Sequence, residues 1–222
     1  HNQSRRQRQM CIRDSVEEVM QGLRDLTADI ARRGHVPVTL GGEHSISYGA
    51  VTGVVDALGP IGLIHVDAHA DFRDAYQGHK FSHASVMYLL AGEGLPMVSL
   101  GVRALSVEED AARKAHGVIT HDARQLMRDD THEITLPEDF PENVYITFDL
   151  DGLDPSVLPS TGTPVPGGLG FYQALDLVES AAHGRNVKGI DVVELAPVSG
   201  QPVSDFTAAL ISYHLMRIAL DT

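Results

Sequence analysis

Short uninterrupted apolar runs recur along the chain, each separated from the next by a stretch of helical periodicity. Val36-Pro37-Val38-Thr39-Leu40, Ile61 to Val66, Met97 to Leu100, Val118-Ile119, Val144 to Phe148 and Val187 to Val193 read as strands. A strand that is apolar throughout, instead of alternating, has to be covered on both faces, which is the condition of a parallel sheet between helices. The intervening stretches supply that cover. Ser15 and Glu18 form a capping box ahead of a face built from Val16, Val19, Met20, Leu23, Leu26 and Ile30, and Gly34 closes it. Further helices are expected from Ser45, from Ser82 to Ala91, from Ser106 to His116, through Phe171, Leu175, Val178 and Ala182, and from Ser204 with Phe206, Ala209, Leu210, Tyr213 and Met216 inward. The expected fold is α/β, a three-layer α-β-α arrangement with a mainly parallel sheet.

Among the 222 residues, 43% are apolar, enough for one sizeable core, so residues 15–222 are expected to form a single domain. Residues 1–14 read differently. They hold Arg5, Arg6, Arg8 and Arg13 among few apolar residues and are expected to be a non-native or disordered tail. A formal net charge of -13 argues against nucleic-acid or anionic-membrane partners and suits a small cationic one. The one cysteine, Cys11, excludes an internal disulfide, and a cytoplasmic location is expected.

In an open parallel sheet, ligand groups collect where strands end. Asp67, His69 and Asp71 follow the run ending at Val66 with i, i+2, i+4 spacing, which in extended backbone turns all three the same way. Gly41-Gly42-Glu43-His44-Ser45, Asp149-Leu150-Asp151-Gly152-Leu153-Asp154-Pro155 and Asp191-Val192-Val193-Glu194 leave three other strands on the same rim. Taken singly, such loops are also what solvated turns and helix caps look like. Taken together, converging carboxylates with two histidines and no basic run to neutralise them would repel unless cations were bound. Four aspartates balance two divalent ions, and an oxygen-dominated set with a minority of imidazole favours Mn²⁺ over Zn²⁺.

Gly41-Gly42-Glu43-His44-Ser45, Asp67-Ala68-His69-Ala70-Asp71 and Asp149-Leu150-Asp151-Gly152-Leu153-Asp154-Pro155, followed by Thr161-Gly162-Thr163-Pro164 and Gly167-Gly168-Leu169, occur in the order found in ureohydrolases of the arginase and agmatinase family. From about residue 34 to the C-terminus the chain resembles that family, and the agmatinases most. The resemblance implies an arginase/deacetylase-like fold that would here lack its N-terminal portion, leaving one sheet edge unpaired. It implies two Mn²⁺ per chain, one held by His44, Asp67, Asp71 and Asp149, the other by Asp67, His69, Asp149 and Asp151. Glu194 matches the guanidinium-binding glutamate, and His83 the proton-delivering histidine, with His79 a nearby competitor. Catalytic roles are thus expected of His83, Glu194 and Asp71, and substrate contacts of Glu194, His83 and Thr163. Asp154 is expected to tie loop groups together, outside the metal set. Glu43 stands where many relatives have Asp and is expected to be without consequence. The implied reaction is hydrolysis of agmatine to putrescine and urea by a trimer or hexamer. Phe72 to Gly78 lacks the Asn and Ser pattern with which arginases hold an α-carboxylate, although Arg73 there is suited to an acidic substrate. The alternatives are an arginase or guanidinobutyrase, a single-zinc deacetylase of the same fold, or a catalytically silent metal-binding subunit.

Overall fold

The computed structural model describes residues 15–222, so the tail expected over 1–14 lies outside the described residues. Six strands, β1 (Val38–Leu40), β2 (Gly62–Val66), β3 (Met97–Leu100), β4 (Ile119–His121), β5 (Asn143–Asp149) and β6 (Asn186–Val193), form one sheet in the order β1-β6-β5-β2-β3-β4. All pairings are parallel. Among the described residues seven α-helices accompany them: α1 (Val16–Arg32), α2 (Ile46–Leu58), α3 (Val86–Gly92), α4 (Val107–Ala115), α5 (Ala123–Arg128), α6 (Phe171–Ala182) and α7 (Pro202–Asp221). This is the expected three-layer architecture. Val51, Val54, Met87 and Leu90 from α2 and α3 pack on one face of the sheet against Leu63, Met97 and Tyr145. Leu177 and Val178 of α6 with Ile211 and Leu215 of α7 pack on the other, against Ile64, Ile146 and Ile190. No described helix is long and apolar enough to cross a membrane.

Several local expectations are corrected. β1 was expected as a buried strand, but it is an edge, bonded only to β6 among the described residues, and Leu40 is 66% exposed. The α1 stripe is also narrower than expected: Met20, Thr27, Ala28 and Ala31 are buried whereas Val16, Val19 and Leu26 are exposed. Its contact with α2 runs through Gly49 and Gly53, where a Cβ would collide with the backbone at Met20 and Arg24. Backbones brought that close leave little room for the larger side chains of the stripe. α7 buries Ser204, Ala208, Ile211, Leu215 and Ile218, not the expected Phe206, Leu210, Tyr213 and Met216, which face outward. That helix is apolar on nearly every side, so periodicity could not choose its inner face. The short helix α5 is not among the helices expected from periodicity.

Candidate functional site

The C-terminal ends of β1, β2, β5 and β6 and the loops that follow them converge on a cavity of about 770 Å³, lined by Asp71, His69, Asp149, Asp151, His83 and Glu194 among others. β2 stops at Val66, so the period-two argument for Asp67, His69 and Asp71 fails beyond the strand. Asp71 instead sits in left-handed backbone at φ 52°, held by its carbonyl accepting from Met87 N and Tyr88 N at the start of α3, both 3.2 Å. The loop, and not extended strand, brings the three groups together.

The buried His44 ring is the centre of one cluster. Its Nδ1 lies 3.1 Å from Asp67 Oδ2, 3.1 Å from Asp71 Oδ2 and 3.2 Å from Asp149 Oδ2. Its Nε2 is 2.9 Å from Thr147 Oγ1, which is also 2.7 Å from the fully buried Asp191. The hydroxyl has one proton, which belongs on the Asp191 carboxylate, so Nε2–H donates to Thr147. In the neutral ring Nδ1 is then a lone pair aimed at three carboxylates, with no hydrogen-bond partner. His69 anchors the second cluster, its Nδ1 3.1 Å from Asp151 Oδ2 and 3.4 Å from Asp67 Oδ1. The six residues expected as ligands are brought together on one rim, His44 with Asp67, Asp71 and Asp149, and His69 with Asp67 and Asp151.

Electrostatics draw protons into this arrangement when no cation is bound. Burial, reinforced by the Asp67 charge, pushes the Asp71 carboxyl up to about 6 and the Asp149 carboxyl well above its usual range. Burial opposes charge on the histidines too, but the carboxylates of Asp151 and Asp67 outweigh it and hold His69 at about 11. Asp149, Asp67 and Asp71 likewise outweigh burial at His44 and raise it well above normal. Protons thus stand where metal would otherwise sit. The donor set of four carboxylates and two imidazoles, with one imidazole nitrogen left unpaired, fits a pair of divalent cations. His65 is near enough to His44 and Asp67 to join a ligand set. Both its ring nitrogens are engaged, at 3.0 Å to Asp67 and 3.2 Å to Ser99, so it reads better as support for Asp67.

Glu194 ends β6 in left-handed backbone at φ 64°, and its Oε1 accepts from His44 N at 2.6 Å. Its carboxyl is raised by burial, despite that hydrogen bond. Thr163 lines the cavity and donates to Asp151 Oδ2 at 3.0 Å. Asp154 accepts from Ser156, Gly167 and Gly168, as a loop tie should. His79 is exposed on the Tyr76–His79 turn and is not among the cavity's lining residues, whereas His83 is.

Three contributors escaped the sequence reading. Thr147 and Asp191 carry the His44 ring, and both look like ordinary strand residues. Arg103, half-buried, donates to the carbonyls of Gly101, Asp151, Gly152, Leu153 and Val165 at 2.7 to 3.3 Å, pinning the 150–170 loop to the end of β3. A Cβ at Gly168 would strike its guanidinium, so the loop has to pass there as glycine.

A model described as the arginase family matches residues 7–218. The chain belongs to the arginase family. An N(1)-aminopropylagmatine ureohydrolase of Thermus thermophilus is 40% identical over 202 residues, covering 91% of this chain and 69% of that protein. An agmatinase of Pyrococcus horikoshii is 31% identical over 208 residues, covering 94% and 71%. The solved agmatine ureohydrolase of Thermoplasma volcanium superposes with a TM-score of 0.77 at 30% identity, over 92% of this chain and 69% of that one. The chain spans 64% to 69% of the length of three N(1)-aminopropylagmatine ureohydrolases it matches.

Proposed function

We propose that this arginase-family chain is a ureohydrolase that cleaves the guanidino group of agmatine, or of agmatine carrying an N-aminopropyl tail, to urea and the corresponding amine. The observation that carries this reading is the unpaired Nδ1 of His44, opposite three carboxylates, on the wall of a cavity that also presents Glu194. His44 and Asp71 would hold one Mn²⁺, His69 and Asp151 the other, and Asp67 and Asp149 both. Bound there, the two ions would supply Lewis-acid activation of water near neutral pH.

The chain's own groups do the rest. Glu194 holds the planar cation: Oε1 is steadied by His44 N, which leaves Oε2 to accept from the guanidinium as a charge-assisted bond. That fixes the guanidino carbon against the carboxylate cluster. Thr163 and the Ala68 N–H keep the two Asp151 oxygens in place. His83 delivers a proton to the departing amine nitrogen as its bond to carbon breaks.

An amine tail is favoured over an acid one by the outer cavity. Arg73, the one arginine or lysine among the described residues that line the cavity, is 3.6 Å from the buried Glu109 carboxylate and lies over the Tyr76 ring, so it is already engaged. The names of two relatives, agmatinase and N(1)-aminopropylagmatine ureohydrolase, support the same substrate class. The test is urea release with Mn²⁺ over agmatine, N(1)-aminopropylagmatine, arginine, guanidinobutyrate and formiminoglutamate, with Asp149→Ala as control. Turnover of the two amines and none by Asp149→Ala is expected. Faster turnover of an acidic substrate overturns the substrate assignment, and no urea from any of them with manganese bound overturns the activity.

A further inference from the structure

The residue expected to be without consequence makes the most direct contact with the proton-delivering group. Glu43 Oε1 is 2.8 Å from both the backbone N and the ring Nδ1 of His83, forty residues away in sequence. Its other oxygen accepts from Ser45 Oγ at 2.7 Å, so the carboxylate is fixed at both ends. On its far side the His83 ring meets Tyr76 edge-on, with centroids 5.4 Å apart. Glu43, Tyr76 and His83 all line the cavity.

We infer that Glu43 is a positioning residue that fixes His83 as the Nδ1–H tautomer and keeps its Nε2 for proton exchange with the substrate. An ionised carboxylate only accepts, so a short contact to Nδ1 requires the proton to be on Nδ1. The hydrogen bond at one ring nitrogen then decides what the other can do. His83 makes no hydrogen bond through Nε2 among the described residues. Nε2 first takes up a proton released by the attacking water, and when the resulting imidazolium passes it to the amine nitrogen, the electron pair of the breaking carbon–nitrogen bond stays with the amine. The ring is left neutral with Nδ1–H still on Glu43. Without Glu43 the neutral ring drifts toward the Nε2–H tautomer that free histidine prefers, and it also loses the anchor on its backbone N–H. The next residue, His44, holds Glu194 through its own N–H, so the Glu43-His44 pair sets both the proton donor and the guanidinium acceptor from one short loop.

This inference rests on the proposed hydrolysis for its kinetic meaning, but its first readout needs no turnover. Long-range ¹H–¹⁵N spectra of the full metal-free chain, with His83 assigned through His83→Gln, should show Nδ1–H at His83. Glu43→Ala should move it toward Nε2–H, and Glu43→Gln, whose amide oxygen still accepts, should keep Nδ1–H. An Nε2–H ring in the unmodified chain, or no change in Glu43→Ala, overturns the inference whatever the enzyme does. In manganese-loaded protein of unchanged metal content, Glu43→Ala should lower kcat at least about tenfold with little change in KM. It should add nothing further in a His83→Ala background. A further loss there means that Glu43 acts through another group and overturns the inference. Failure of urea release in the unmodified chain, beside the expected tautomers, overturns the proposed activity and leaves the Glu43–His83 arrangement standing.

Discussion

His69, held at about 11, carries a proton at neutral pH that a cation has to displace, and Asp71 takes one up below about pH 6. With Asp71 at about 6 and His69 at about 11, Mn²⁺ binding near neutral pH should release protons, and apparent affinity should rise as pH is raised through 6. Titration calorimetry in two buffers of different ionisation enthalpy checks this; equal heats in both would contradict it. Asp154 makes a second case, with the opposite connection to stability. Its carboxylate is held at about 2 by the Ser156 hydroxyl, outweighing a small burial penalty, together with backbone N–H donors at Ser156, Gly168 and Gly167. The folded value lies below the unfolded one of about 3.9, so the stabilisation is complete above that pH and disappears as pH falls toward 2. Because the group is largely solvated, Asp154→Ala is expected to cost only about 1 kcal/mol at neutral pH, and less by about pH 3, in urea-unfolding midpoints. Side-chain identity announced Asp154 as a loop tie. Asp191 and Thr147 gave no such signal, because a strand residue reveals its role only when its neighbour across the sheet is known.

At the level of elements, the 150–170 loop depends on Arg103, whose fork of donors matches a ring of carbonyls that no other group could satisfy at once. Arg103→Met should destabilise the protein by about 3 kcal/mol and accelerate amide exchange through the loop, and Arg103→Lys should not restore protection. Unchanged exchange in Arg103→Met would contradict this account. The α1–α2 contact depends on absent side chains. Gly53→Val has to push α1 off Arg24 and Thr27, at a cost of about 2 kcal/mol or more, read as a drop in Tm of about 5 °C. The strands, α2 and α6 were legible because each has an apolar pattern, and α4 from its Ser106 start, although the side chains it buries are Glu109 and Arg113. The inner faces of α1 and α7 were not. In α1 the glycines of its partner decided the face, and in α7 apolar residues on all sides left the choice to what lay beneath.

Across the whole molecule, the carboxylate cluster ties the loops after β1, β2 and β5, which are far apart in sequence, into one rim. Manganese at about 100 times its Kd should therefore add about 2.7 kcal/mol to the folded state for each ion bound, seen as a rise in Tm that a chelator reverses. Asp149→Ala should lose most of that rise. The sequence by itself determined the layer order and the donor set, because apolar runs, helix caps and loop motifs are local patterns that survive without coordinates. The six residues expected as metal ligands do converge on one rim, though the strand geometry offered for Asp67, His69 and Asp71 is not how it happens. The tertiary structure decided which lone pairs remain free. His44 Nδ1 is unpaired because Thr147 and Asp191 occupy Nε2, and the His83 ring is held because a glutamate forty residues earlier reaches it. Those are properties of distance and direction between strands and loops, and no spacing along the chain encodes them.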